Sequence, residues 1–487
     1  MIENKSKFAS GITISLNNQI TTTMMSKEIV LRAVCAMVLV AVGMPIVAQV
    51  EEGRLDTDAR TGATRLERGG SQGEEVLDDH ESYGKFRVGG YGEMVASFLN
   101  YGRNRFYGGK DNSDERRTIA MPRAVIAADY RFNERWNLGM EIEFEAGGVG
   151  SEQELENTEN GEYETETEMG GEVALEQLHI TRYIVRGFNV RVGHQIVGLG
   201  LTNAHHEPVN FFGTVRPEGE TTIIPSTWHE TGVGFFGAFG GGSAQFDYEA
   251  MVVAGLNPDG FGRDNWVGSG KQGLFEVDNF KSPGYYVRLN YGGVRGLRVG
   301  ASVYYCHDVT ENADKPYKYS KVDGAGLVLW SFDAQYRNPY VTARANYIRG
   351  DLEDAAAIAN VTLSNKSSYH HGAERAVARS GMAYGVEVGA NLRNIFYRER
   401  GPVLYPFVRY EYFNPQEEAD DNATVDVRCQ VSKWVAGVNW YALPNLVVKA
   451  DASSRRIGTD SPFGSSEYHH ENEISIGVAY VGWFFRK

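Results

Sequence analysis

Charged side chains stand at every second position in several stretches of this chain. The clearest is WNLGMEIEFEA, residues 136–146, in which Glu141, Glu143 and Glu145 alternate with apolar residues. Side chains two residues apart point to the same face of a β-strand, so the three carboxylates would form one row. A row of this kind on the wall of a water-filled passage acts on solutes through its electric field.

Later segments of the chain repeat the pattern with both signs of charge. We predict that the polar face of these segments lines a pore, together with the acidic triplet, through Asp247, Glu249, Arg288, Arg298, Arg344, Arg409, Lys433 and Lys449. Many basic candidates follow the acidic triplet in the chain, and opposed charges across a pore would order water and orient dipolar solutes. For any single residue, an equally good interpretation is that it keeps the lumen wet and pairs with an opposite charge. Three arginines on nearby strands, Arg288, Arg298 and Arg344, are the best candidates for an anion path.

The elements that carry these residues are marked by a hydrophobic period of two from residue 84 onward. About sixteen segments show it, and strands of ten or more residues are long enough to cross a bilayer at a tilt. Short turns alternate with long polar loops along the chain. The short turns fall at 131–135, 185–187, 240–242, 292–295, 337–339, 394–402 and 442–445. We therefore predict an all-β fold, a transmembrane antiparallel β-barrel with short periplasmic turns and long external loops.

A soluble β-sandwich or propeller is the alternative, because its strands also alternate in polarity. Strand length decides against it, since soluble strands average about 5–6 residues. The composition agrees with the barrel: 57 Gly, 27 Tyr and 23 Phe accompany only 14 Pro. A net charge of −15 argues against nucleic acid as a partner, because phosphate binding needs a concentrated basic surface.

The third long loop, residues 198–226, is richer in apolar and aromatic residues than the other loops. Such a loop is poorly suited to lie in solvent, so we expect it to fold into the lumen and narrow it. The constriction would then contain His205, His206, Glu207, Arg216, Glu218 and Glu220.

Three regions divide the chain. Residues 1–48 are predicted to be a leader and a cleavable signal peptide, with Met24 or Met25 as the more sensible start, because basic residues precede a short apolar stretch that ends at Ala48. Residues 49–83 are charged and aperiodic, and we interpret them as a flexible periplasmic segment. Residues 84–487 form the barrel.

Neither the cysteines nor the histidines indicate a cofactor. Cys35 lies in the predicted signal, which leaves Cys306 and Cys429 as either one disulfide or two thiols, with two thiols the preferred interpretation. The histidine pairs fall in predicted outer loops at 205–206, 370–371 and 469–470, and adjacent histidines rarely ligate one metal together. We predict no metal site, no cofactor and no catalytic residues, since a G-x-S-x-G or comparable element is missing from the sequence.

The stretch NAHHEPVNFFGTVRPEGETTIIPSTWHETGVGFFG, residues 203–237, resembles the phosphate-selective porin O/P family of Gram-negative bacteria. Looser similarity covers most of residues 84–485, including FKSPGYYVRLNYGGVRGLRVGASVYY and YPFVRYEYFNPQ. The resemblance implies a sixteen-stranded outer-membrane porin with a third loop that constricts the pore, assembled as a homotrimer. Phosphate selection in that family is understood to use stacked arginines and lysines. Here the acidic and basic candidates are balanced.

These observations together predict a porin of the bacterial outer membrane that conducts small hydrophilic solutes or anions passively, phosphate among them. The expected partners are the lipid bilayer, lipopolysaccharide and the barrel-assembly machinery, which reads an aromatic terminal strand such as the one ending in Trp483, Phe484 and Phe485. A barrel-type outer-membrane enzyme and a surface receptor or adhesin are the alternatives. An enzyme would need a catalytic site on the wall, and an adhesin would need larger outer loops.

Overall fold

A computed structural model describes residues 84–102, 113–148, 152–156, 164–168, 173–272, 277–364, 377–396, 401–420, 425–461, 464–465 and 469–487. The predicted leader and signal peptide at 1–48 and the predicted periplasmic segment at 49–83 lie outside these residues. Within the described ranges, every helix is too short or too polar to cross a membrane.

Sixteen antiparallel strands form one closed barrel in which each strand pairs with its neighbours in the sequence. They are β1 (Phe86–Gly102), β2 (Ser113–Asn133), β3 (Trp136–Glu145), β4 (Val173–Val185), β5 (Phe188–Ile196), β6 (His229–Phe239), β7 (Phe246–Val253), β8 (Gly284–Val294), β9 (Leu297–Cys306), β10 (Leu327–Arg337), β11 (Val341–Leu352), β12 (Ser380–Ala390), β13 (Val403–Glu418), β14 (Val431–Leu443), β15 (Leu446–Ile457) and β16 (His470–Arg486). β16 closes the barrel by pairing with β1. The predicted fold class is confirmed.

Short links and long links alternate along the barrel, as the sequence predicts. Two-residue links join β2 to β3, β4 to β5, β8 to β9 and β14 to β15. Gly296 closes one of them with a φ of +78°, and a Cβ at that position would lie 2.0 Å from the Arg337 carbonyl oxygen. A larger residue could adopt neither that backbone conformation nor that contact. The longest of the short links, between β12 and β13, contains the helix Leu392–Phe396.

The strands expose apolar side chains outward and bury charged ones inside. On β3 the exposed fraction is 41 % for Trp136 but 1 % for Glu141. Exposed apolar residues on other strands include Ile126, Phe332, Trp434, Trp440 and Ile476. Apolar surface of this extent is stable only against lipid, because water would penalise it. A closed barrel that is apolar outside and polar inside is the architecture of outer-membrane β-barrels, and the protein has that architecture.

Several of the long links pack together through buried apolar residues. A buried apolar cluster joins the links that follow β5, β7, β9 and β11, and it contains Trp228, Trp266, Val309 and Ile358. The indole Nε1 of Trp266 donates to the carbonyl oxygen of Ala378 at 2.9 Å. Several outer loops therefore pack on one another and on the barrel wall, because their apolar residues are spread thinly along the sequence but meet in space. Cys306 and Cys429 are both buried, and the two thiols are not joined in a disulfide.

Candidate functional site

The link between β5 and β6, residues 197–228, folds into the barrel, and we call it the constriction loop. Its neck is closed by a hydrogen bond of 2.9 Å from the backbone N–H of Val197 to the carbonyl oxygen of Trp228. A short helix, α1 (Glu218–Ile223), lies within the loop. Phe211 and Phe212, which suggested an inward loop from the sequence, are 3 % exposed.

Lys449 on β15 holds the middle of the constriction loop. Its ammonium donates to the carbonyl oxygens of Phe211 and Gly213, each at 2.8 Å, and to that of Pro208. A buried ammonium needs acceptors for all three of its N–H groups, and the loop supplies three. This predicted pore residue is thus 2 % exposed and binds protein rather than facing an open channel.

Arginines of the wall bind the loop in the same way. Arg288 donates to the carbonyl oxygens of Gly198 and Gly200 at 3.0 and 3.1 Å. Arg409 donates to the carbonyl oxygen of Val215 at 3.2 Å. The loop backbone is irregular and buried, so its carbonyl groups need hydrogen-bond donors in place of water, and the wall cations supply them.

Carboxylates of the wall bind the amide side of the same loop. The Glu387 carboxylate accepts from the Phe212 N–H at 3.1 Å, and the Asp451 carboxylate accepts from the Thr214 N–H at 2.6 Å. Glu411 accepts from the first amides of α1, with 3.1 Å to the Gly219 nitrogen. Balanced charge on this part of the wall thus has a structural cause, since acids bind loop N–H groups and bases bind loop carbonyls.

A small, partly open cleft lies between the constriction loop and strands β10 to β13. Its charged lining consists of Arg344, Arg409, Glu387 and Glu411, and His205 borders it. Arg344 is ion-paired with Glu387, and Arg409 lies 2.7 Å from Glu411. Two cations face two anions in this space, so the cleft is polar but has no surplus charge.

The three arginines predicted as an anion path are each ion-paired with a carboxylate. Arg288 is bound to Asp333 at 2.7 Å, and Arg298 to Asp247 at 3.0 Å. Of the three, Arg344 lines the cleft. Sequence spacing places all three on the inner face but cannot show that each pairs with a carboxylate, which lies two strands away for Arg288 and Arg298 and on the next strand for Arg344.

The remaining predicted loop residues serve mainly to fold the loop. Glu220 accepts from the backbone N–H groups of Leu201 and Asn203 at 3.0 and 2.6 Å. Within the loop, hydrogen bonds also join Arg216 to Ser226, Glu207 to Asn210, and His205 to the Leu201 carbonyl. The Glu218 carboxylate instead binds the wall, 3.2 Å from the ammonium of Lys433 on β14.

Two predicted wall acids lie apart from the cleft. Glu249 on β7 is buried, and its nearest basic partner is Arg191 at 3.9 Å. Glu145 is the last residue of β3 and is partly exposed. Neither residue is among those that line the cleft.

A second polar group lies on the opposite side of the loop, where Glu141, Glu176 and His206 offer ligand atoms within 4.8 Å of one another. Glu176 was not predicted as a site residue. The β3–β4 register shifts between Glu141 and Ile142, and this bulge leaves Glu176 and Gln177 both buried. The sequence carries a signal for it, because two consecutive polar residues interrupt the alternation of β4.

Comparison with known proteins gives distant relatives. No protein-family model matches the chain. An uncharacterised protein of Aquifex aeolicus is 28 % identical over 406 residues, which cover 82 % of this chain and 79 % of that protein.

Among solved structures, an anion-selective porin from Comamonas acidovorans is 8 % identical with a TM-score of 0.48, and it aligns over 82 % of this chain and 99 % of its own. The outer membrane channel DcaP of Acinetobacter baumannii is 12 % identical with a TM-score of 0.46, over 82 % and 97 %. OmpT of Vibrio cholerae is 12 % identical with a TM-score of 0.43, over 82 % and 99 %. The fold assignment itself rests on the strand pairing described above.

Proposed function

We propose that this protein is a porin of the bacterial outer membrane that conducts small hydrophilic solutes passively, without catalysis. The observation that carries the proposal is the polar cleft between the constriction loop and the wall strands, inside a barrel whose outer face is apolar. Charged side chains paired across such a space keep it wet without binding a solute tightly, which conduction requires.

The charge of the cleft supports a broad solute range. A phosphate dianion loses part of its hydration in a narrow passage, so it needs surplus cations and donors to replace that water. Arg344 and Arg409 are each matched by a glutamate in the cleft. We therefore propose weak ion selectivity, and we place phosphate among the conducted solutes rather than as the selected one.

Planar-bilayer recording of the purified protein tests the proposal. Stable, ohmic steps of conductance with a small reversal potential in a salt gradient are expected. A barrel that inserts but carries no current over a wide voltage range would contradict the porin function, and hydrolytic activity with a closed barrel would favour the enzyme alternative. Strong anion selectivity would instead contradict the proposed role of the balanced cleft.

Assembly as a homotrimer in contact with lipopolysaccharide is part of the same proposal, and it is supported by the resemblance of residues 203–237 to trimeric porins. Native mass spectrometry of the detergent-solubilised protein is expected to give three chains. A monomer at all protein concentrations would overturn this part and leave the conductance proposal standing.

A further inference from the structure

Three buried carboxylates lie close together on the wall formed by β3 and β4. Glu141, Glu143 and Glu176 are 1 %, 4 % and 0 % exposed, and all three face the inside. Buried carboxylates are unfavourable unless a cation or a proton compensates them. The compensation on this side therefore needs a specific source.

The arginines near these acids donate hydrogen bonds to other groups. The Nε of Arg123 donates to Glu93 at 2.9 Å, and its Nη2 donates to the carbonyl oxygen of His206. Arg216 donates to the hydroxyl oxygens of Ser226 and Thr227 at 2.9 and 3.3 Å. The positive charge of both arginines is felt across the cluster, but their hydrogen bonds go to these other groups.

Three of the side chains have the geometry of metal ligands. The Nε2 of His206 lies 3.2 Å from the Oε1 of Glu176 and 2.9 Å from the Tyr91 hydroxyl oxygen, a hydrogen bond that a bound ion would replace. The ligand atoms of Glu141, Glu176 and His206 all lie within 4.8 Å of one another. Tetrahedral Zn²⁺ with bonds of about 2.1 Å holds its ligand atoms about 3.4 Å apart, so the widest pair in this group would have to close by up to about 1.4 Å.

Neighbouring side chains orient two of these ligands. The Gln177 amide donates to Glu141 at 2.6 Å, and the Tyr91 hydroxyl donates to Glu176 at 3.2 Å. Donors of this type fix a carboxylate so that its remaining lone pairs point toward a metal. In metal sites such partners commonly change affinity about 10–100-fold.

Glu143 provides an independent indication of a missing cation. Within the described part of the chain, its Oε1 is buried and no hydrogen bond reaches it. It lies two residues beyond Glu141 on the same face of β3. An unsatisfied, buried carboxylate oxygen next to this cluster fits a fourth ligand or the acceptor of a metal-bound water.

We infer that Glu141, Glu176 and His206 form a site for a first-row divalent cation such as Zn²⁺, with Glu143 beside it. One imidazole and two carboxylates suit such an ion, whereas Ca²⁺ takes oxygen ligands alone. His206 belongs to the constriction loop and the two glutamates belong to the wall, so the ion ties the loop to β3 and β4. Bound metal would thereby fix the position of the loop opposite the cleft.

Titration of the chelator-treated, folded barrel with ZnCl₂ by calorimetry, with metal content measured in parallel, tests this inference. One Zn²⁺ per chain is expected, and His206→Ala or Glu176→Gln should weaken binding at least about tenfold. The matched controls His205→Ala and Glu249→Gln should retain it. Equal binding by wild type and His206→Ala, or an equal loss in the controls, would overturn the site.

X-ray absorption at the zinc edge of the wild-type protein keeps the test independent of any variant that fails to fold. One histidine and carboxylate oxygens are expected around the ion. Several histidines, as in adventitious binding at surface pairs, or no histidine at all, would reject the assignment. These measurements involve no current, so a negative result would leave the channel proposal unaffected.

Discussion

The two sides of the lumen hold the constriction loop by different means. On the β12–β15 side, acids and bases alternate and each binds a complementary group of the loop, as Glu387 and Lys449 illustrate. On the β3–β4 side, acids cluster, and Glu141 and Glu176 meet His206 of the loop. On the β12–β15 side, the charges of the wall and the hydrogen-bonding groups of the loop balance one another. On the β3–β4 side, the buried carboxylates need an added cation or protons to balance their charge. The difference shows that the total charge of the lumen wall is a poor guide to solute selection, because many charged side chains bind the loop and are not available to a solute.

Removing Lys449 should break the balanced side most severely. Lys449→Met leaves three loop carbonyls without a donor, which costs about 3 kcal/mol or more in loop docking, equal to about a 100-fold loss in the docked population. Single-channel conductance and protease cleavage within residues 197–228 should both rise. Lys281→Met is the control, because Lys281 is exposed and its ion pair is with Glu311, outside the constriction loop. Unchanged conductance in Lys449→Met would show that this ammonium does not retain the loop.

A steric change tests the same side without altering charge. A Cβ on Gly389 would lie 2.4 Å from the ring of Phe212, which stacks on Phe407 with centroids 5.5 Å apart. Gly389→Val should therefore displace the loop at a cost of about 1–3 kcal/mol and raise conductance. Adding Phe212→Ala should restore part of the docking. If the double variant is no better than Gly389→Val, the damage lies in β12 and not in the loop contact.

Changing one cleft charge should sharpen the comparison through selectivity. Arg344→Gln leaves Arg409 against two glutamates in the cleft. One uncompensated charge is worth about 1 kcal/mol at short range in water, so the cation-to-anion permeability ratio should rise about fivefold. The reversal potential in a salt gradient measures it. Arg298→Gln, which breaks a pair with Asp247 outside the cleft, should change the ratio much less. Equal shifts in both variants would contradict the assignment of the cleft as the passage.

The smallest effect is expected in the outer loops, where neutral pairing continues. Burial alone would raise the pKa of Asp426, but the hydrogen bonds and charge of Arg428, at 2.7 and 2.8 Å, lower that pKa below its ordinary value of 3.8. A lowered carboxyl pKa stabilises the fold above pH 3.8, and this contribution disappears as pH falls through the lowered pKa. Asp426→Asn should cost about 1 kcal/mol at pH 7, seen as faster hydrogen exchange in 425–430, and nothing in strong acid. A pH-independent cost would exclude this ion pair as its source.

Much of the barrel was predictable because period-two alternation and turn chemistry are local properties. The segment predicted as a strand at 136–146 is Trp136–Glu145 in the structure. The inner or outer facing of wall residues follows from the same pattern. What could not be predicted is which charges meet across strands, since Arg288 finds Asp333 on a strand 45 residues further on. The packing of the outer loops around Trp266 depends on similar contacts between distant residues.

The β-bulge at Glu176 marks the point where local rules stop sufficing. In a regular strand either Glu176 or Gln177 would face lipid, because only one of two consecutive side chains can face inside. The bulge adds one residue, so both side chains are buried on the inner face. Two consecutive polar residues in an alternating strand, here Glu176 and Gln177, therefore indicate a bulge that places one more polar side chain in the lumen.

The closing pair of strands sets a condition on how this barrel is made. β1 and β16 are separated by more than 350 residues of chain, yet they pair over most of their length, and the Lys85 and Phe86 amides bond to the Lys487 carbonyl at 2.7 and 3.0 Å. Every other pair of adjacent strands is close in sequence and can form as soon as both strands have been made, but the β1–β16 pair cannot. Until it forms, two ribbons with unsatisfied backbone groups stand open in the bilayer, where water cannot relieve them. The newly made sheet therefore has to be shielded at both margins until its final strand arrives.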